Sequence, residues 1–139
     1  MRALVLLLVL TTVAAAEVKV TTKQIVTDPI FFGTNKATIK QESVPTLDQV
    51  VATMHNDRKI GLVEIGVHSD ARGNDDYNRE LSQKRADAIR DYLIAKGVDA
   101  NRLRAKGYGE TKPIDKRANA AAWAKNRRTE LLILQRKTT

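Results

Sequence analysis

The chain has 139 residues, with 24 Lys or Arg against 16 Asp or Glu and a formal net charge of +8. That length suits one domain around one core. The absence of cysteine excludes disulfides and anchoring through a lipidated cysteine, and leaves any zinc site to two histidines and carboxylates.

Met1-Arg2 supplies a positive charge, Ala3 to Leu10 is apolar, and Val13 runs into Ala14-Ala15-Ala16. This pattern predicts a secretory signal peptide over residues 1–16, cleaved after Ala16. A retained membrane anchor is the competing reading, but the apolar run falls short of the roughly 20 residues of a spanning helix. Loss of Arg2 would lower the net charge by one unit from +8. Such a balance favours a polyanionic partner. For an exported, periplasmic protein that means anionic head groups or cell-wall polymer, not nucleic acid.

Residues 17–28, with Val18, Val20, Ile25 and Val26, read as an extended lead-in, and the folded domain as 29–136. Pro29 to Phe32 reads as a short apolar strand closed by a Gly33-Thr34-Asn35 turn. Val44, Leu47, Val50, Val51 and Met54 recur at helical spacing after an N-cap at Ser43, with Pro45 in the first turn. Leu62 to Val67 reads as a buried strand ending at His68-Ser69-Asp70. A second helix follows from about Asp76 to Lys96, capped by Gly97, with Leu81, Ala88, Ile89, Tyr92 and Leu93 on its apolar face. A strand over Leu103–Tyr108, a helix over Ala118–Lys125 and a strand over Thr129–Leu134 complete the order. Two βα crossovers predict an α/β sandwich with helices packed on a mixed, mostly parallel sheet.

Arg85 is out of place in this pattern. It lies four residues after Leu81 and four before Ile89, on the apolar side of its helix. A charge held there needs a partner. Asp70, just past the carboxyl end of the preceding strand, stands where α/β sheets place ligand sites. On spacing alone, an ion pair tying Asp70 to Arg85 accounts for the pattern as well as a ligand site does.

The segments His68-Ser69-Asp70-Ala71-Arg72-Gly73 and Tyr77-Asn78-x-x-Leu81-Ser82-x-x-Arg85-Ala86 resemble the signature of the OmpA-like peptidoglycan-binding domain. The likeness continues through Tyr92-Leu93, Gly97-Val98, Arg102-Leu103, Gly107-Tyr108-Gly109-Glu110, Pro113 and Asn126-Arg127-Arg128, with Phe32-x-x-Asn35 upstream. Val67, where many members carry glycine, and Ser69, where threonine or alanine is commoner, depart from it. The resemblance implies an OmpA-like sandwich that binds the diaminopimelate residue of the peptidoglycan stem peptide. It implies that Asp70 holds the ligand's ammonium and Arg85 its carboxylate. Asn78, Leu81 and Asn35 are then site residues, with one or both of Arg127 and Arg128 nearby. An ammonium and a carboxylate on one carbon complement an Asp and a planar, two-donor Arg.

The remaining signals point elsewhere than to an enzyme. His55 and His68 have no metal-ligand spacing, and His68 reads as ordering the Asp70 loop. Asp75-Asp76 and Asp87/Asp91 suit helix capping and solubility better than glycoside hydrolysis. Tyr77, Tyr92, Tyr108 and Trp123 suit core packing better than base stacking. No metal or cofactor is implied. The competing function is a structural or interaction subunit of an envelope or motor-type complex, with outer-membrane or envelope proteins as partners and wall binding incidental.

Overall fold

The computed structural model describes residues 18–138, and the leader read over residues 1–16 lies outside them. The elements run β1 (Val18–Val20), β2 (Gln24–Thr27), α1 (Val44–Asn56), β3 (Ile60–His68), α2 (Asp75–Ala95), β4 (Leu103–Gly109), α3 (Ala120–Asn126) and β5 (Arg128–Arg136). They form one sheet in the order β1-β2-β5-β3-β4, with α1 and α2 packed against it and against each other.

The sheet is mixed, but it is not mostly parallel. Only β3 and β4 run parallel, joined by α2 as crossover; the β1–β2, β2–β5 and β3–β5 pairs are antiparallel. The N-terminal stretch supplies two of the three antiparallel pairs. The stretch read as a lead-in forms a hairpin, tightened by Thr21 Oγ1 accepting the Lys23 and Gln24 N–H groups. It then adds to β5, with the buried Ile25 opposite Leu131. Conversely, Pro29–Phe32 is not a strand and contributes only a Phe32–Ile39 bridge. Its hydrogen bonds go elsewhere: Phe31 N–H donates to Ser43 Oγ at 2.8 Å and Phe31 O accepts from Lys40 N at 2.9 Å. The Ser43 hydroxyl is thereby occupied and makes no cap bond to α1, although Pro45 does sit in the first turn.

Leu47, Val50 and Met54 of α1 meet Ala86, Ile89 and Leu93 of α2 and the inward Val63, Ile65 and Val67 of β3. Full burial of such side chains stabilises the fold by about 1.5–3 kcal/mol each. The buried stripe of α2 is Asn78, Ser82, Ala86, Ile89 and Leu93, so Leu81, Ala88 and Tyr92 only flank the core. The rotation follows from β4, where Gly107 admits the α2 backbone so closely that a Cβ there would stand 2.1 Å from Gln83 N. Side chains of α2 satisfy the outer edge of β4, which has no strand neighbour among the described residues. Ser82 Oγ accepts Gly109 N–H, Gln83 accepts Gly107 N–H and donates to Ala105 O, and Arg90 donates to Leu103 O.

On the opposite sheet face Tyr108 lies across Gly66, donates to Glu64 and stacks on His68 with centroids 4.8 Å apart. Neither Tyr108, Tyr77 nor Trp123 belongs to the core; of the four aromatics assigned there, only Tyr92 packs against it. The His68 side chain is 2% exposed, and burial, reinforced by Arg128, pushes its imidazole down to about 4. The unfolded chain therefore binds more protons than the fold between about pH 6.5 and 4, and stability must rise with pH across that window. Urea titrations are expected to lose on the order of 3 kcal/mol from pH 7 to 4 through this group. A His68→Phe variant, which keeps the stacked ring, should show a clearly flatter profile.

Candidate functional site

Asp70 leaves β3 in a loop held by the first turns of α2. Ser69 N–H donates to Gly109 O at 2.9 Å. Asn78 Nδ2 donates to Arg72 O at 2.8 Å and to Asp70 O at 3.5 Å. Asn74 caps α2 by accepting Tyr77 N–H. Asn78 therefore acts on the loop backbone, and it is buried because the loop folds over it.

The Asp70 carboxylate is 8% exposed and accepts four N–H groups. Oδ1 takes the backbone N–H of Arg72 at 2.9 Å and its Nε at 3.0 Å. Oδ2 takes Arg72 Nη2 at 2.8 Å and Arg127 Nη1 at 2.9 Å. The Arg72 guanidinium holds this carboxyl well below the usual carboxylate range, against the opposing effect of burial. Arg72 is itself stacked on Trp123, 4.5 Å from the ring centroid. Beside this cluster the Glu110 carboxyl is raised, chiefly by the neighbouring Asp75 carboxyl.

Arg85 does not pair with Asp70. Its Nε donates to Lys36 O at 2.9 Å and its Nη2 to Gly33 O at 3.3 Å, with Phe32 beneath the guanidinium at 5.0 Å. The turn responsible has Asn35 at φ +55°, a left-handed conformation that asparagine tolerates. That turn presents two carbonyls to α2, so the guanidinium is hydrogen-bonded while its charge stays uncompensated by any carboxylate among the described residues. Burial lowers its pKa accordingly.

Arg85 and Asn78 lie seven residues apart, on one side of α2. Between that helix and the 35–38 turn runs a cleft of about 390 Å³ lined by Asn35, Lys36, Ala37, Thr38, Tyr77, Glu80, Leu81 and Lys84. Asn35 and Leu81 thus share one wall system. The two arginines between α3 and β5 diverge: Arg127, at the end of α3, faces Asp70, whereas Arg128, the first residue of β5, turns to Glu130 and to the Asn126 and Lys112 carbonyls. Sequence reasoning placed neither Arg72 nor Trp123 in the site. For Arg72 the signal was the Asp-x-Arg spacing, which lets an aspartate accept its own i+2 N–H. Asp115 and Arg117 repeat the same geometry.

The sequence model of the OmpA family matches residues 31–127. The chain belongs to the OmpA family. It is 38% identical over 106 residues to the peptidoglycan-associated lipoprotein of Rhizobium meliloti, covering 76% of this chain and 60% of that one. It is 42% identical over 86 residues to outer membrane protein A of Klebsiella aerogenes, covering 61% of this chain and 25% of that protein. The chain thus spans only part of the relatives it matches. Among solved structures, the cell wall anchor of the T6SS from Pseudomonas aeruginosa superposes with a TM-score of 0.71 at 29% identity. That match covers 87% of this chain and 88% of the other. The family match spans α1, β3, α2, β4 and α3, the frame on which Asp70, Asn78 and Arg85 sit.

Proposed function

We propose that this OmpA-family chain binds peptidoglycan non-covalently in the periplasm, through the diaminopimelate residue of the stem peptide. One feature supports the reading above the others. Arg85 is a partly buried guanidinium whose N–H groups, among the described residues, meet only backbone carbonyls and whose charge meets no carboxylate. A ligand carboxylate compensates it with a two-donor geometry that lysine does not offer. Asp70 receives the ammonium of the same head, Asn78 holds the Asp70 loop, and Leu81 with Asn35 lines the cleft between α2 and the 35–38 turn. The naming of one relative as peptidoglycan-associated and of a structural neighbour as a cell wall anchor agrees with this ligand. The site works by recognition; the reading assigns no bond-making step to any residue.

Binding to purified peptidoglycan sacculi tests the proposal. General attraction between a basic chain and an anionic wall acts through exposed charges and is screened beyond about 8 Å at physiological salt. A site built on Asp70 and Arg85 is expected to retain sacculi at a few hundred millimolar salt, and Asp70→Asn to release them. Complete loss of wild-type binding at that salt, with circular dichroism unchanged, rejects a specific site.

A further inference from the structure

We infer that Arg127 is an exchangeable counter-ion of Asp70, displaced by the ligand's ammonium, and that it thereby sets how tightly the site takes an amine. The inference rests on the diaminopimelate reading of the site. A carboxylate offers about four lone-pair positions. In Asp70 all four are taken, two on each oxygen, by Arg72 and Arg127. An ammonium therefore enters by exchange with an N–H donor already present. Placing it beside both guanidiniums would raise the local charge of the cluster from +1 to +2, whereas exchange leaves that charge unchanged.

The donors are held unequally. Arg72 grips the carboxylate through its backbone N–H, Nε and Nη2, and its guanidinium is stacked on Trp123. Arg127 contributes Nη1 alone, at 2.9 Å; both side chains are about half exposed, so the number of bonds, not exposure, separates them. When Arg127 leaves, one half-exposed ion pair is lost and the guanidinium passes into water, where its charge is well solvated. When Arg72 leaves, two side-chain bonds and the contact with Trp123 are lost together. Arg127 is thus the partner that departs, and Arg72 the one that keeps Asp70 ionised and oriented while the ammonium takes the vacated position on Oδ2. The neighbouring Arg128 takes no part, being committed to Glu130 and two carbonyls.

Arg127→Gln removes the competing charge at a half-exposed position. The full chain carrying it is expected to bind sacculi and free diaminopimelate roughly two- to fivefold more tightly than wild type, the range one such ion pair supplies. In a nitrogen-detected NMR titration of the wild-type chain with free diaminopimelate, the Arg127 guanidinium signal should shift to its solvent-exposed position while Arg72 Nε stays bonded. Equal or weaker binding by Arg127→Gln, or displacement of Arg72 in place of Arg127, overturns the exchange. The two levels separate cleanly. If Asp70→Asn and Arg85→Ala bind sacculi like wild type, the diaminopimelate reading itself is wrong. If both lose binding and Arg127→Gln is not tighter, only the exchange is wrong.

Discussion

Amidation of the diaminopimelate carboxylate in the wall is expected to weaken binding of the wild-type chain at least about tenfold. The modification preserves most of the shape of the ligand and removes the one charge that Arg85 lacks in the free protein. Hydrogen bonds to charged groups contribute about 1.5–3 kcal/mol each, and 1.4 kcal/mol is a factor of ten in affinity. A wall whose stem peptide carries lysine has no second carboxylate and should bind equally poorly. Arg85→Ala is expected to abolish binding to the unmodified wall. Arg85→Lys should weaken it clearly, because lysine keeps the charge but not the fork that also bonds the Lys36 and Gly33 carbonyls. In the Arg85→Ala background amidation should cost little more, since its reader is gone. Equal binding of amidated and unmodified walls by the wild-type chain removes Arg85 from the role of carboxylate reader, whatever becomes of Asp70.

Gly107→Ala is expected to destabilise the fold by about 3 kcal/mol or more, at or beyond the upper end of the range for overpacking a filled interior. The added methyl would stand 2.1 Å from Gln83 N and 2.6 Å from Ser82 C, both backbone, so α2 as a whole must move off β4. That shift also breaks the Gln83–Gly107 and Ser82–Gly109 hydrogen bonds. Because α2 carries Asn78, Leu81 and Arg85, wall binding should fall with stability. Gly33→Ala is the control: its new methyl meets only the Lys36 side chain, at 3.3 Å, which can yield. A urea midpoint for Gly107→Ala close to that of Gly33→Ala would contradict the close helix–strand approach. Against a usual total of about 5–15 kcal/mol, the expected loss is large enough to read without ambiguity.

Local chemistry was enough to place α1, α2, α3 and strands β3, β4 and β5 in the sequence. Each has its own periodicity or its own terminus, as with Gly97 at φ +98° closing α2; α3, expected from Ala118, starts at Ala120 because Asn119 caps it by accepting Ala122 N–H. The resemblance in the segments around Asp70, Asn78, Leu81 and Arg85 belongs to the same level, since it is carried by residues close in the chain. Strand direction was not local. Whether residues 18–27 hang free or pair with β5 depends on what lies opposite Ile25, and Leu131 is more than a hundred residues away. Likewise Ser43 has the chemistry of a cap, and only the folded chain brings Phe31 N–H to its hydroxyl.

The site divides along the same line. The spacing of Arg85 marked a guanidinium on the wrong side of its helix, and the need for a partner followed from the cost of burying charge. Which partner it has was a matter of geometry. The 33–36 turn, some fifty residues upstream, offers two carbonyls where an aspartate was expected. Asp70, left without Arg85, draws Arg72 from its own loop and Arg127 from the end of α3. Sequence by itself determined that this OmpA-family chain carries an acid and a base at the head of β3 and along α2. Only the tertiary structure decided that the acid is saturated and the base uncompensated. Hydrogen bonds and charge pairs between distant segments are set by where the backbone passes, and no residue type encodes that alone.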